Sequence, residues 1–160
     1  MERRHLLTAG LAAGVVVDAI PSRAAADEGQ HIVGSWFGTV TATNPPLSFN
    51  DLISFHTGGV VTESRRYLVP STPFGNLLET TGHGAWGQTG RNTVAAFFRF
   101  LLQDTGSGAP IGTDNVYLAL TLNPADNTLT GTFQSQIEDT TGNVLGTFTG
   151  SYSATLITLS

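Results

Sequence analysis

The sequence predicts an all-β protein: a single eight-stranded up-and-down antiparallel barrel over residues 34–160. Three observations predict this fold. Short runs of alternating apolar and polar residues follow one another along the chain, and clusters of glycine, proline and asparagine separate them. No stretch after the N-terminal segment shows the periodicity of a helix. Consecutive short strands joined by tight turns are typical of an up-and-down barrel, in which every strand pairs with its sequence neighbours.

Turn signals set the bounds of the predicted strands. Asn44-Pro45-Pro46 ends the first strand, since proline cannot donate to a ladder, and Thr57-Gly58-Gly59 supplies glycines where a hairpin needs positive φ. Residues 27–33 are predicted to be a polar leader, and 70–79 and 105–113 to be irregular. The eight predicted strands cover residues 35–43, 48–56, 60–69, 82–88, 93–104, 115–122, 128–139 and 144–159.

The alternation also predicts which side chains face inward. In the sixth strand, Val116, Leu118 and Leu120 share one face, as expected for a strand with one buried side. The fifth strand is apolar on both faces, because Phe97 and Leu101 lie opposite the predicted inner residues. Strand 93–102 therefore needs cover outside the barrel, either from a neighbouring loop or from a second copy in a homo-oligomer.

The first 26 residues have the features of an export signal. A charged start with Arg3-Arg4 precedes a weakly apolar stretch, and Ala24-Ala25-Ala26 offers the small side chains that a signal peptidase accepts. The arginine pair resembles a twin-arginine signal, and an ordinary secretory signal is the alternative. We therefore expect residues 1–26 to be removed and the mature protein to be periplasmic or extracellular.

Composition excludes several classes of partner. The net charge is −5, lysine is absent, and only four arginines follow residue 26, so nucleic acid is excluded as a partner. Without cysteine, neither a disulfide nor a thiolate metal site can form. No apolar run after the signal approaches the ~20 residues that span a bilayer. Since no glycine-rich phosphate loop precedes a helix, no nucleotide cofactor is expected.

Two short motifs carry a family resemblance. Gly34-Ser35-Trp36, at the start of the first strand, resembles the glycine-x-tryptophan opening of lipocalin-like (calycin) barrels. The segment Gly82-His83-Gly84-Ala85-Trp86 is similar to small exported bacterial proteins of that kind. The resemblance implies a barrel that binds an apolar small molecule, or one of the few that isomerise or cyclise it. The allene-oxide-cyclase-like barrels, often trimers, are a neighbouring possibility.

The sharpest chemical signal is a set of charged residues predicted to share an apolar face. If Thr57-Gly58-Gly59 closes a tight hairpin, Phe55 pairs with Val61, Ile53 with Glu63 and Asp51 with Arg65. Charges inside a barrel are costly unless paired, so such a cluster could orient a ligand or supply a proton. The alternatives are an ion pair at the barrel mouth and a bulge that turns these residues outward. The candidate catalytic residues are Asp51, Glu63, Arg65, Tyr67 and His83.

The remaining candidates are less specific. His83 lies between two glycines that allow close approach, and it is either a general base or a surface residue. The spacing of His31, His56 and His83 does not support a metal site, and none is predicted. Inward-facing aromatic and aliphatic residues are candidates for ligand contacts as well as for the core. The candidate ligand-binding residues are Trp36, Phe49, Ile53, Phe55, Trp86, Phe98, Phe133 and Tyr152.

These features leave three functions open. The first is an exported barrel that binds a small, mostly apolar molecule in its interior. The alternative is a cofactor-independent isomerase, lyase or cyclase that acts on a terpenoid- or polyketide-like substrate, with the charged cluster moving a proton. The third is a barrel that is packed shut and works through its surface. The sequence does not decide whether the protein is an enzyme.

Overall fold

The computed structural model describes residues 31–65, 68–72 and 75–159, with side chains left undescribed at 68–72 and 75. It confirms the all-β prediction. The described residues form ten strands in one antiparallel sheet. They are β1 (Gly34–Thr43), β2 (Pro46–His56), β3 (Val60–Arg65), β4 (Leu68–Thr72), β5 (Gly75–Glu79), β6 (Gly82–Gly90), β7 (Thr93–Asp104), β8 (Pro110–Asn123), β9 (Thr128–Asp139) and β10 (Val144–Leu156).

Eight of these strands close into the predicted up-and-down barrel. The order around the barrel is β7-β6-β3-β2-β1-β10-β9-β8, and β8 returns to pair with β7. The continuous β1–β10 register, from Trp36 opposite Leu156 to Ala42 opposite Gly150, joins the first and last strands of the barrel. Closure leaves each of the eight strands with a neighbour on both sides, which removes free edges.

The structure corrects the predicted irregular segments. Within 70–79, β4 follows β3 and pairs with β5, and β5 pairs with β7 beyond the end of β6, with Glu79 opposite Leu102. We call this pair of strands the β4–β5 hairpin, and the end of the barrel beside it the hairpin end. Similarly, β8 begins at Pro110, inside a predicted loop, and β10 ends at Leu156 rather than at 159. Glycine and proline explain why segments 70–79 and 105–113 look irregular in the sequence, because both residues are typical of turns, although edge positions and bulges of a sheet tolerate them.

Aromatic side chains close the opposite end of the barrel. Trp36 is fully buried and donates a hydrogen bond from Nε1 to the carbonyl oxygen of Ile32 at 2.9 Å. Trp86 Nε1 donates to the carbonyl oxygen of His56 at 3.0 Å, and its ring meets Phe55 edge-on, 5.7 Å between centroids. Ile32, predicted to be in the leader, is buried in this layer. We call this end the tryptophan end.

The barrel interior contains two apolar clusters of different size. The large one fills the tryptophan end and the middle of the barrel, and the small one joins Leu77, Leu102 and Ile137 at the hairpin end. Along β9, Phe133 belongs to the large cluster and Ile137 to the small one, with buried Ser135 between them. The inward alternation along this strand therefore places a polar level between two apolar ones.

Outside the barrel, the apolar outer face of β7 is partly covered by its neighbour. The rings of Phe97 and Tyr117 lie 4.8 Å apart, and Phe97 is half-buried, whereas Leu101 keeps 54% of its surface exposed. The contact between Phe97 and Tyr117 thus covers part of the outer apolar face of β7, as the sequence predicts for a strand that is apolar on both faces. No helix among the described residues has the length and apolarity needed to cross a bilayer.

Candidate functional site

The β2–β3 hairpin has the register that the sequence predicts. The turn residues Gly58 and Gly59 have φ angles of 85° and 82°, which only glycine adopts readily. Asp51 therefore lies opposite Arg65, and Ile53 lies opposite Glu63. Asp51 and Glu63 keep only 4% and 2% of their surface exposed, so both carboxyl groups point into the barrel. No bulge turns these two residues outward, and neither lies on the outer face of the barrel.

Arg65 makes the strongest ionic contacts in this interior. Its Nε donates to Glu79 Oε2 at 2.6 Å and its terminal nitrogen to Glu79 Oε1 at 2.9 Å, a bidentate pair that aligns two planar groups. The same terminal nitrogen donates to Asp114 Oδ2 at 2.5 Å. The guanidinium also lies 4.1 Å from the centroid of the Phe100 ring and 5.5 Å from that of Phe49, within cation–π range. Arg65 thereby binds β3 to β5 and β8.

Asp114 has a second partner. Ser135 Oγ donates to Asp114 Oδ1 at 2.6 Å, and both residues are buried. Each oxygen of the Asp114 carboxylate therefore accepts one hydrogen bond, from a charged donor and from a neutral one. These two bonds provide the hydrogen-bond partners that a buried polar group needs.

Tyr152 reaches Asp51 across an intervening strand. Its hydroxyl, on β10, donates to Asp51 Oδ1 on β2 at 3.2 Å, and β1 lies between those two strands. Gly38 on β1 makes this contact possible, because a Cβ there would lie 1.9 Å from Asp51 Oδ1 and 2.3 Å from the tyrosine oxygen. Burial and the nearby charge of Asp51 both raise the pKa of the Tyr152 phenol, which keeps it a donor.

Glu63 is the least satisfied group of the cluster. Its carboxyl shares a hydrogen bond with that of Asp51, yet its Oε2 atom is buried without any partner. Burial raises the pKa of Glu63 well above its ordinary value; Arg65 opposes that shift, and the charge of Asp51 adds to it. Burial also raises the pKa of Asp51, against the hydrogen bonds from Glu63 and Tyr152. The raised pKa values of both groups favour retention of a proton by this pair.

The charges of the cluster are unequal. Within the described part of the chain, four carboxyl groups, those of Asp51, Glu63, Glu79 and Asp114, face one guanidinium, that of Arg65. Burial would lower the pKa of Arg65, but Glu79 and Asp114 raise it, so this group stays a cation. Burial also raises the pKa of Glu79, against the effect of Arg65. We call these five residues together with Ser135 and Tyr152 the polar cluster.

The other predicted site residues lie in different places. Tyr67 falls outside the described residues, and His83 is exposed on β6, opposite Arg99 on the outer surface. His83 is thus not part of the polar cluster. Among the described residues, no group of three or more His, Asp or Glu side chains is arranged to hold a metal ion.

All the predicted ligand contacts belong to the large apolar cluster or pack against it. Six are buried members of that cluster, and Phe49 and Trp86 are half-buried against it; the six are Trp36, Ile53, Phe55, Phe98, Phe133 and Tyr152. Of these eight, Phe49 and Tyr152 touch residues of the polar cluster, and Ile53 is paired with Glu63. The residues that could meet a ligand at the polar cluster are therefore fewer than the sequence predicts.

Sequence reasoning missed three members of the polar cluster. On β8, Asp114 lies two residues before the buried Val116, and on β9, Ser135 lies two residues after the buried Phe133. Extending the two-residue alternation to these polar positions predicts that both side chains point inward. Glu79 gave no such signal, because it lies in a segment predicted to be irregular.

The class of this protein is defined by its fold and its site, because comparison with known proteins gives no match. Searches of family models, of curated proteins and of solved structures found no match to this chain. Its class is that of closed antiparallel β-barrels, in this case with a charged and hydrogen-bonded cluster inside.

Proposed function

We propose that this protein is an exported, calycin-like barrel that binds a small, mostly apolar molecule in its interior, with one polar group of that molecule at the polar cluster. The observation that carries this proposal is the unpartnered Glu63 Oε2 atom in a residue that is 2% exposed. A buried polar atom without a hydrogen bond costs about 1–3 kcal/mol, and such atoms are rare in folded proteins. A ligand group bound there would remove that cost.

The composition of the cluster favours a function beyond folding. A buried set of charges is often less stable than apolar side chains of similar volume, because the cost of desolvation offsets the ionic attraction. A barrel selected only to fold would therefore carry aliphatic residues at Asp51, Glu63 and Arg65. The cluster contacts the Phe100 ring and borders Ile53, which provide apolar surface for the body of a ligand.

The hairpin end is the proposed route into the barrel. Glu79, on β5, belongs to both the β4–β5 hairpin and the polar cluster. At the tryptophan end, a cavity of about 10 Å³ is lined by His31, Ile32 and Arg91 among others, a volume that holds about one water molecule. That cavity is too small for the proposed ligand, and the unpartnered Glu63 oxygen is the reason for proposing the polar cluster instead.

Titration with N-phenyl-1-naphthylamine, a neutral apolar dye that fluoresces in apolar surroundings, tests the proposal. We expect saturable binding by the wild-type protein and altered affinity in Glu63→Gln. The control is Asp126→Asn, which removes one carboxylate from an exposed turn and should bind as the wild type does. Absence of saturable binding to folded wild-type protein would refute the proposal.

A second candidate is a cofactor-independent isomerase, lyase or cyclase. The buried pair of Asp51 and Glu63 favours it, because burial raises the pKa of both groups and an acid–base pair beside the Tyr152 hydroxyl can deliver and recover a proton. Such an enzyme should lose turnover in Asp51→Asn while it still binds the dye. Equal turnover in wild type and Asp51→Asn would exclude a catalytic role for this pair.

Two further proposals concern location and assembly. Export rests on the Arg3-Arg4 and Ala24-Ala25-Ala26 pattern, which lies outside the described residues. A homo-oligomer through strand 93–102 is supported by the exposed side chain of Leu101 and the half-buried ring of Phe97 on the outer face of β7.

A further inference from the structure

Arg65 donates its hydrogen bonds to residues on one side of the polar cluster. Its nitrogens donate to both oxygens of Glu79 and to Asp114, and Ser135 completes the shell of Asp114. Asp51 and Glu63 receive no hydrogen bond from it. Their polar partners are each other and the neutral Tyr152 hydroxyl. Among the residues that the structure describes, the part of the cluster that contains the unpartnered oxygen thus has no cation hydrogen-bonded to it, and Arg65 acts on Glu63 only through its charge.

We propose that the ligand carries a protonated amine on an apolar body, and that this ammonium group binds beside Asp51 and Glu63 and donates to Glu63 Oε2. This inference rests on the proposed function, since it names the chemical class of the molecule bound in the barrel. An ammonium group supplies both things that this half of the cluster lacks, a positive charge and hydrogen-bond donors.

The unpartnered oxygen favours a donor over an acceptor. Glu63 Oε2 is a buried carboxyl oxygen that receives no hydrogen bond, so it offers lone pairs to a donor. A ligand carbonyl or carboxylate would bring a second acceptor to that atom, and its lone pairs would repel those of Glu63. The Phe100 and Phe49 rings beside Arg65 already hold a cation over their faces, which shows that this interior accommodates one.

An alcohol is also a hydrogen-bond donor, but it is neutral, and the charge of the cluster favours an amine over it. Among the described residues, four carboxyl groups accompany one guanidinium, so the cluster has an excess of acidic groups. An alcohol leaves that excess unchanged, whereas an ammonium group reduces it in surroundings where water screens little. Hydrogen bonds between charged groups are about twice as strong as neutral ones.

Competition between two ligands of the same shape tests the inference on the intact wild-type protein. n-Octylamine and 1-octanol share an eight-carbon chain and differ in the terminal group, and each is titrated against bound N-phenyl-1-naphthylamine at neutral pH. We expect octylamine to displace the dye at a concentration at least about tenfold lower than octanol, the difference of a charged against a neutral hydrogen bond. Glu63→Gln should reduce this preference to about threefold or less, and Asp126→Asn should keep it.

Each result has a distinct meaning. Dye binding with equal or stronger displacement by octanol overturns the amine inference and leaves the proposed function intact. The inference also fails if Glu63→Gln keeps the full preference for octylamine, or if Asp126→Asn loses it, since the effect would then come from overall charge. If the folded protein does not bind the dye, the proposed function itself fails. The wild-type comparison decides the matter even if Glu63→Gln does not fold.

Discussion

Gly38→Ala should break the contact between Tyr152 and Asp51 without changing either residue. The added Cβ would lie 1.9 Å from Asp51 Oδ1 and 2.3 Å from the tyrosine oxygen, so both side chains must move. Loss of a hydrogen bond to a charged group costs about 1.5–3 kcal/mol, and overpacking adds about 1–3 kcal/mol. The lower entropy of the unfolded alanine chain returns about 0.4–1 kcal/mol. The expected loss is therefore about 2–5 kcal/mol of the free energy of unfolding.

Urea unfolding followed by tryptophan fluorescence measures this loss, because Trp36 is fully buried in the folded barrel. Gly106→Ala is the matched control: its Cβ would meet only Asp104 Oδ1, at an ordinary 3.4 Å, in an exposed loop. We expect that variant to differ from wild type by less than about 0.5 kcal/mol. A similarly small change for Gly38→Ala would refute the account of how β1 allows Tyr152 to reach Asp51.

Other predictions concern the cluster, the outer face and the N-terminus. Arg65→Met should cost about 3–5 kcal/mol in urea unfolding, because it leaves buried carboxylates unpaired, and a cost below about 1 kcal/mol would contradict the ion pairs. Burial raises the pKa of Glu63 in the folded state, so the contribution of its protonated form to stability is complete below the ordinary value of 4.5 and declines as pH rises through the folded-state pKa. When unfolding is measured at a series of pH values, the wild type should lose stability relative to Glu63→Gln as pH rises. Leu101→Arg should convert the proposed oligomer to a monomer in light scattering, and a monomeric wild type would argue against that contact. Intact mass spectrometry of exported protein should show residues 1–26 removed, and a retained Met1 would contradict the signal.

The barrel was predictable because its signals are local. Two-residue alternation and the Thr57-Gly58-Gly59 turn fix the β2–β3 register, which brought Asp51 opposite Arg65 as predicted. The inner positions of β8, such as Val116, Leu118 and Leu120, follow from the same alternation. A slip of one residue would expose every one of them, so the sequence specifies this arrangement strongly.

The partners of the cluster depend on closure of the barrel and were not predictable in the same way. Arg65 meets Glu79 and Asp114 only because β5 and β8 come together on either side of β7. The bond from Tyr152 to Asp51 spans most of the chain and passes over Gly38, a position where the sequence shows only a glycine within a strand. No local pattern predicts contacts of this kind, since they depend on which strands become neighbours.

The most direct test of the central claim is to locate a bound ligand inside the barrel. In methyl-labelled protein titrated with N-phenyl-1-naphthylamine, NMR should show large shifts for Ile53, which is paired with Glu63, and for Ile137, which is paired with Asp114. The methyl groups of Leu52 and Ile157, on the outer surface, should remain unshifted. Shifts confined to Leu52 and Ile157, with Ile53 and Ile137 unchanged at saturation, would contradict the claim that the polar cluster is a ligand site.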